Sequence, residues 1–424
     1  MTRGTAATRT IPGLHAEPGL REQLGRLSTE PGIEPERADA LLARIAWSRL
    51  VEPGDGVAGA LVAALGPWAA LQLLVEGAAP RRISERVREH GVELAADIVT
   101  DALARWRLRL DRGATVGDVG QALATGQGVV APGDPSWPPA LDDLGVHAPM
   151  LLWTRGDAAL LRTPALSVVG ARAATGYGTH VTAEIVDGVC RSGTTIVSGA
   201  AYGIDAVAHR TALAAASPTI AVLAGGADRA YPAAHDSLLE RIARDSLVCA
   251  EMIPGAAPTK WRFRARNRLI AALAPATLVT EAGVRSGTLN TAGHAAELGR
   301  VLGAVPGPVT SAASAGCHLL VREYGATLVT NTREACELLG LDDRLDLFGG
   351  GEAGTGERMP PLHERLLDAL PLRGGRSLRE VARRSGVSEP EARGGLAELE
   401  LLGRVRNDDS PGGEERRWWL IRGQ

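Results

Sequence analysis

Residues 166–199 read LSVVGARAATGYGTHVTAEIVDGVCRSGTTIVSG, and this stretch decides the fold. Short β-branched apolar runs at 166–170 and 194–199 flank a longer amphipathic stretch at 176–191. Two such runs with a helical pattern between them are typical of parallel strands joined by a crossover helix. The stretch therefore predicts a parallel sheet that is covered by helices on both faces.

The same alternation continues to about residue 339. It predicts further strands at 219–226, 246–251, 277–282, 301–307 and 326–330, and helices at 205–216, 234–244, 265–274, 287–299 and 332–339. So many repeats predict an α/β fold that is built on one parallel sheet. Ligands of such sheets bind beyond the carboxyl ends of the strands, so function is expected in the loops that follow the strands.

The segments on either side of the sheet have different patterns. Apolar residues at helical spacing predict a small all-helical domain over 35–112, after a tail at 1–34 that is rich in Gly, Pro and Thr and is expected to be disordered. The sheet domain is assigned to 113–340, and a Gly-rich linker to 341–361. Three helix patterns followed by two strand-like runs predict a winged-helix domain over 362–424.

The composition excludes several classes of protein. With 46 Lys and Arg against 49 Asp and Glu in 424 residues, the formal net charge is −3, so charge alone indicates no partner. The four cysteines have no CxxC or Cys/His spacing, so we expect no disulfide framework and no metal site. No cofactor is expected either. The N-terminus lacks the apolar core of a signal peptide, which favours the cytoplasm. The uncharged run at 56–75 is broken by Gly66-Pro67, so we interpret it as two soluble helices and expect no membrane span.

Glycine-rich turns follow four of the predicted strands. They contain Gly170 with Arg172, Gly199, Gly225, and Arg285 followed by Ser286, Gly287 and Thr288. Backbone amides at such turns and at helix N-termini form concave sites for anions. Four turns at one edge of a sheet therefore predict phosphate binding. A dinucleotide cofactor is not favoured, because the first loop lacks GxGxxG and the second strand does not end in an acidic residue.

The most informative segment is KWRFRARNR at residues 260–268. Five of its nine residues are cationic, none is acidic, and two are aromatic although only 3% of the chain is aromatic. Lys260 is the single lysine of the chain, and Phe263 is one of two phenylalanines. Cations that follow phosphates beside rings that stack on bases are typical of single-stranded DNA binding. Proline and glycine at 254–258 predict an extended loop here, with a helix beginning near Ala265.

Seven sequence motifs occur between about Val130 and Ala326. They are VGARAATGYG, SGAAYGIDAVAH, AVLAGGADRAYP, FRARNRLIAAL, VTEAGVRSGTLNTA, AVPG and GCHLLVREYGA. In this order and spacing they resemble the DprA/Smf family, the DNA-processing proteins of natural transformation. The resemblance implies an extended Rossmann-like domain with an N-terminal helical, SAM-like domain and a C-terminal winged helix. It also implies a dimer that binds single-stranded DNA, protects it and loads a RecA-type recombinase onto it, without known catalysis.

The resemblance further implies which residues contact DNA. The family's G-S/T-R motif falls on Gly170-Ala171-Arg172, and its F-x-x-R-N-R motif begins at Phe263, with Lys260 at the family's basic position. The chain departs from the usual pattern at Ala171, Arg264 and Asn290, and Ala171 removes one hydroxyl ligand. Together with the glycine-rich turns, the predicted DNA-binding set is Gly170, Arg172, Gly199, Gly225, Lys260, Phe263, Arg266, Asn267, Arg268, Arg285, Ser286, Gly287 and Thr288.

An enzyme is the first alternative. Nucleoside-monophosphate phosphoribohydrolases have a similar Rossmann variant, but the glutamate that follows their PGGxGT loop is missing after Thr288. Asp205 and His209, four residues apart on one predicted helix, could act as an acid and base pair. A capping Asp with a His in the next turn is the ordinary structural interpretation of the same spacing.

A winged-helix regulator that binds duplex DNA is the second alternative. The predicted recognition helix, 388–402, carries Glu389, Glu391, Glu398 and Glu400 against Arg393 alone. Phosphates would repel such a helix, so we expect this domain to contact protein. A weak duplex role is left to the wing arginines, which are Arg404, Arg406, Arg416 and Arg417.

Overall fold

The computed structural model describes residues 18–28, 33–341, 360–371, 375–407 and 417–421. The chain forms two compact units, Met1–Leu347 and Phe348–Gln424. The predicted α/β fold class is confirmed, because the first unit is built on one large, mainly parallel sheet with helices against it.

Seven helices precede the sheet among the described residues. They are α1 (Pro18–Leu27), α2 (Pro35–Leu50), α3 (Gly56–Leu65), α4 (Pro67–Val75), α5 (Pro80–Arg88), α6 (Ala96–Arg107) and α7 (Arg112–Ala124). Helices α3 and α4 form the uncharged run of the sequence and bend by 112° at the break between them. In the described part of the chain no single helix is long and apolar enough to cross a membrane. The bent pair would be long and apolar enough if its two helices were taken together, by length and composition only.

Helix α1 corrects the expectation that the whole of 1–34 is disordered. Leu20, Leu24 and Leu27 are buried, and their spacing places them on one face of a helix. The glycine and proline around them concealed this short apolar stripe in the sequence. Residues 1–17 lie outside the described residues.

The helical region predicted over 35–112 does not stand apart from the sheet. Leu42 and Trp47 of α2 share one buried core with Val248 and Ala250. Both regions accordingly fall in the same compact unit. Apolar spacing predicted the helices, but it could not show which apolar partner their stripe would cover.

The sheet has nine strands in the described residues. They are β1 (Gly128–Val130), β2 (Leu152–Gly156), β3 (Ala165–Gly170), β4 (Thr195–Ser198), β5 (Thr219–Gly226), β6 (Leu247–Met252), β7 (Ala276–Glu281), β8 (Val301–Ala304) and β9 (Thr327–Leu328). Their order is β1-β2-β6-β5-β4-β3-β7-β8-β9. Strands β3 to β9 pair in parallel, and β1 and β2 are antiparallel additions at one edge. The chain builds outward from β3 to β6 and then returns to add β7 on the other side of β3.

The helices of the sheet region agree with the sequence prediction to within a few residues at most of their ends. They are α8 (Gly176–Arg191), α9 (Ile204–Ala214), α10 (Asp236–Asp245), α11 (Lys260–Leu273), α12 (Thr288–Glu297), α13 (Ala315–Glu323) and α14 (Thr332–Glu337). Helix α13 was not predicted, because it is short and contains Gly316 in its first turn.

The start of α11 is a correction. The helix begins at Lys260 and not near Ala265, because the hydroxyl of Thr259 accepts a hydrogen bond from the amide of Arg262 (3.2 Å) and caps it. The proline-rich loop therefore ends at Pro258, and the cationic segment forms the first turns of the helix.

The second unit has the element order that a winged helix requires. The elements are α15 (Pro361–Ala369), β10 (Arg376–Ser377), α16 (Leu378–Ser385), α17 (Glu389–Leu401), β11 (Val405–Asn407) and β12 (Arg417–Leu420). Strand β12 pairs antiparallel with both β10 and β11. Leu366, Val381, Leu396 and Trp418 form its core. Residues 408–416, which include Arg416, and most of the predicted linker, at 342–359, lie outside the described residues.

Candidate nucleic-acid interface

The strand order reverses at β3, which lies between β4 and β7. At such a point the connections leave neighbouring strands toward opposite sides and open a crevice beyond their carboxyl ends. The loops after β3 and β7 hold Arg172 and Arg285. The amide of Ala171 donates a hydrogen bond to the carbonyl of Glu281 (2.7 Å), so the two loops begin side by side. This edge is where the predicted DNA-binding residues should meet.

Helix α11 presents one face of the cationic segment to solvent. Lys260, Phe263, Arg264 and Asn267 are spaced i, i+3, i+4 and i+7, so they share that face. Lys260 and Arg264 are exposed, and Phe263 is partly buried. Trp261 lies beside this face with 61% of its surface exposed. A helical start thus gathers side chains that an extended loop would have spread out.

Phe263 contacts a cation and a second aromatic ring. The guanidinium carbon of Arg172 is 5.2 Å from the centroid of the Phe263 ring, within the range of a cation–π interaction. The ring centroid of Tyr231 is 5.3 Å from that of Phe263. Arg172 and Tyr231 are both exposed. We call Arg172, Tyr231 and Phe263 the stacking cluster, because they offer ring faces and a positive charge at one surface.

Arg266 is buried and points inward. Its Nη1 donates hydrogen bonds to the carbonyl of Gly199 (2.8 Å) and to that of Val222. Burial lowers the pKa of Arg266 to about 10, while the neighbouring Asp205 carboxylate favours its charged form. Burial also raises the pKa of Asp205, against the attraction of Arg266. The structure therefore does not bring Arg266 to the surface with Phe263, and its guanidinium joins the loop after β4 to β5.

Two further arginines of the segment also have protein partners. Arg268 is buried, and it donates hydrogen bonds to the carbonyl of His147 (3.0 Å) and to Oε1 of Glu251 (2.8 Å). Arg262 donates from Nε and Nη2 to the carboxylate of Glu52, at 2.9 Å each. Of the five cations in the segment, Lys260 and Arg264 are left facing solvent.

Three of the predicted glycines are buried by close packing. Gly170, Gly199 and Gly225 all lie in buried positions. A Cβ on Gly199 would lie 2.2 Å from Nη1 of Arg266, and one on Gly225 would lie 2.6 Å from the carbonyl oxygen of Ala256. The amide of Gly199 already donates to Oδ2 of Asp205 (3.2 Å). Packing therefore accounts for these glycines, and their predicted phosphate contacts stay predictions.

The loop after β7 is tied to its neighbours through its hydroxyls. Ser286 Oγ donates to Oγ1 of Thr288 (2.8 Å), which in turn donates to the carbonyl of Gly170 (2.9 Å). Asn267 Nδ2 donates to Oδ1 of Asn290 (3.2 Å), which links α11 to α12. Arg285 and Gly287 are exposed at the turn. In the part of the chain that the structure describes, no hydrogen bond or cation–π contact joins Arg285 to the stacking cluster.

Asp205 and His209 are built into the fold. Both are buried, at 6% and 0% exposure. Asp205 accepts hydrogen bonds from the amides of Gly199 and Ala201, and Nδ1 of His209 lies 2.7 Å from the hydroxyl of Thr219. Burial, followed by the charge of Arg266, lowers the pKa of His209 to about 3. This geometry agrees with the structural interpretation of the pair.

Sequence reasoning missed the tyrosines of this edge. Tyr177, Tyr202 and Tyr231 follow β3, β4 and β5, and each is between 43% and 49% exposed. The signal was present, because the chain has only four tyrosines, and three of them come shortly after strands: Tyr177 in the first turn of α8, and Tyr202 and Tyr231 in loops.

The comparisons with known proteins agree on one family. A family model described as DNA recombination-mediator protein A matches residues 128–340. A relative from Mycobacterium tuberculosis, named putative DNA processing protein DprA, is 41% identical over 373 residues, which cover 84% of this chain and 91% of the relative. The DNA processing protein DprA of Streptococcus pneumoniae is 43% identical over 187 residues, which cover 44% of this chain and 66% of the relative.

A solved structure is similar as well. The X-ray structure of DNA processing protein A from Streptococcus pneumoniae aligns with a TM-score of 0.56 at 29% identity, and the alignment covers 70% of this chain and 97% of that one. The range that the family model matches contains every residue of the predicted DNA-binding set.

Proposed function

Because the chain belongs to the DNA recombination-mediator protein A family, the DprA/Smf proteins, we propose that it binds single-stranded DNA at the carboxyl edge of its sheet. In this proposal the protein is a cytoplasmic homodimer that protects an incoming strand and hands it to a RecA-type recombinase. Its general assignment to DNA processing follows from the family. The strand, the recombinase and the dimer are the parts that experiment must test.

The stacking cluster carries the proposal. Phe263 and Tyr231 lie 5.3 Å apart beside the guanidinium of Arg172. Lys260 and Arg264 flank the ring on the same helix face, and neither forms an ion pair among the described residues. Rings supported by unpaired cations bind nucleic acid through bases and phosphates without reading sequence.

A single strand fits this surface better than a duplex. Stacking on Phe263 needs a base with a free face, and the bases of a duplex cover one another. Helix α17 of the second unit exposes Glu389, Glu391, Glu398 and Glu400, which repel the phosphates of duplex DNA. We therefore interpret the second unit as a protein-binding module.

Replacing Phe263 with alanine should weaken single-stranded DNA binding by about 1–3 kcal/mol, the usual contribution of one stacked base. The loss should be similar on oligo-dT and on a mixed-sequence strand, because every base has a ring face. Fluorescence anisotropy with labelled strands at fixed salt measures the affinity.

Phe263→Tyr is the matched control, because it keeps the ring and should keep the affinity. Equal affinities for the wild type and Phe263→Ala would remove Phe263 from the site. Tight, sequence-dependent binding to duplex DNA would contradict the proposal as a whole, as would release of free base from nucleoside monophosphates.

The recombinase and the dimer need separate measurements. A loading protein should speed the assembly of a RecA-type filament on strands already covered by single-strand-binding protein, which the DNA-dependent ATPase of the recombinase reports. Light scattering should give twice the 44.1 kDa chain mass. A monomer at working concentration would contradict the dimer alone.

A further inference from the structure

An open depression adjoins the stacking cluster, between the first turns of α8 and α9. Its volume is about 620 Å³, and Arg172, Thr179, Tyr202, Val207 and Arg210 are among the residues that line it. Arg172 belongs both to this depression and to the stacking cluster. The two features therefore form one continuous surface across the sheet edge.

The depression has the charge and polarity of a nucleotide site. Arg172 and Arg210 bring two positive charges, and none of the eight residues that line it is Asp or Glu. Neither arginine forms an ion pair within the described part of the chain. Val207 and Arg210 are spaced i, i+3 on α9, which places an apolar contact beside a cation. Cations next to apolar and aromatic surface, without a carboxylate, favour a phosphate and a base.

Tyr202 is held in position before any ligand arrives. The residue is 48% exposed, and its ring meets that of His235 edge-on, with centroids 4.9 Å apart. His235 is buried, and its Nδ1 lies 3.0 Å from the carbonyl oxygen of Ala200. A ring that is already fixed loses little conformational freedom when a base stacks on it.

We infer that this depression is a second nucleotide subsite for the same DNA strand. Tyr202 stacks on one base, and Arg172 and Arg210 hold the phosphates that lead to the nucleotide on Phe263. The inference rests on the proposed single-stranded DNA binding. It adds the path of the bound strand, which runs from α11 past Arg172 to α9.

The test replaces Tyr202 and Arg210, the two proposed DNA contacts of the depression that do not belong to the stacking cluster. Tyr202→Ala should weaken binding of oligo-dT between about 5-fold and 150-fold, whereas Tyr202→Phe should bind as the wild type does. Arg210→Ala should make the negative slope of log affinity against log salt less steep by about 0.7, because one phosphate contact is lost. Arg82→Ala on α5, an exposed arginine of the helical region, is the matched control and should leave the slope unchanged.

A strand that carries one 5-iododeoxyuridine gives a direct readout, because ultraviolet light crosslinks this base to an aromatic side chain on which it stacks. Mass spectrometry should find crosslinks at Tyr202 as well as at Phe263. Crosslinks at Phe263 alone would overturn the second subsite.

The outcomes separate this inference from the proposed function. Binding that Phe263→Ala weakens and that Tyr202→Ala and Arg210→Ala leave unchanged would overturn the second subsite only. A wild-type protein that does not bind oligo-dT would overturn both. Saturable binding of thymidine monophosphate that Arg210→Ala abolishes, with strand binding unchanged, would reassign the depression to free nucleotides and also overturn the inference.

Discussion

The outer and inner sides of helix α11 carry the same kind of side chain and use it in opposite ways. On the outer side, Lys260 and Arg264 face solvent beside Phe263. On the inner side, Arg266 and Arg268 are buried and donate to carbonyl and carboxylate oxygens. A run of five cations thus contains two that a ligand can meet directly. The other three bond to protein groups and fix the position of the helix, so that Lys260 and Arg264 face solvent at the sheet edge.

Substitutions on the inner side should reduce the free energy of unfolding most. Burying a guanidinium is costly unless its charge is compensated and its N–H groups are hydrogen-bonded. Removing such a group leaves its buried partners unpaired. Arg266 touches the carbonyls of Gly199 and Val222 and lies near the buried carboxylate of Asp205. Lys260 and Arg264 on the outer side form no ion pair with any described residue, so their substitution should change binding and spare stability.

The largest effect is therefore expected for Arg266→Met. This substitution keeps most of the side-chain volume but leaves Asp205 buried without a cation, so the free energy of unfolding should fall by about 3–5 kcal/mol. Urea unfolding followed by circular dichroism measures the change.

Arg264→Met is the matched comparison, two residues away on the exposed side. Its free energy of unfolding should stay within about 0.5 kcal/mol of the wild type. Equal losses in the two variants would break the distinction between the two sides of the helix.

The sequence predicted the cationic segment at 260–268 but could not show which of its cations are exposed and which are buried. Apolar periodicity predicted the order of strands and helices. The parallel arrangement then placed the candidate site beyond the carboxyl ends of the strands. The start of α11 was misplaced because the proline and glycine at 254–258 suggested a loop, while the cap at Thr259 decides the boundary. Whether an arginine faces solvent depends on acceptors that are distant in sequence, such as the carbonyl of Gly199 for Arg266.

A smaller effect is expected where the helical region meets α11. Glu52 accepts hydrogen bonds from Arg262 (2.9 Å) and Arg109 (2.6 Å), and although burial opposes them, these partners lower the pKa of Glu52. Glu52→Gln removes the charge and should reduce the free energy of unfolding by about 1 kcal/mol near neutral pH, since the pair is partly exposed.

The lowered pKa of Glu52 also predicts how the stability difference between the wild type and Glu52→Gln changes with pH. A carboxylate with a lowered pKa in the folded state stabilises the fold above its ordinary value of 4.5 and loses that contribution as the pH falls through the lowered pKa. The difference between the wild type and Glu52→Gln should therefore shrink on acidification. Glu85→Gln on α5, an exposed glutamate, should show no difference at either pH. A difference that grows in acid would contradict the role of the Glu52 charge.

The candidate site was predicted in part for a similar reason. Arg172 and Phe263 come together as the motifs implied, because the loop after β3 and the first turn of α11 end at one edge. Tyr231 and Tyr202 join them from two other loops, and only the parallel topology places those loops there. A rare residue type that recurs at successive strand ends is the sequence signal that would have found them.

The smallest effect is expected for Lys260→Ala, on the outer side. Lys260 is exposed at the first position of α11, so its loss should leave the free energy of unfolding unchanged. It should make the negative slope of log affinity against log salt less steep by about 0.7, the contribution of one phosphate contact. Lys260→Arg keeps the charge and should keep the slope. Since Lys260 is the single lysine, amine labelling of the wild type modifies one side chain besides the α-amino group. Bound oligo-dT should slow that labelling, and an equal rate with and without the strand would place Lys260 outside the DNA path and leave Arg264 as the one segment cation that faces it.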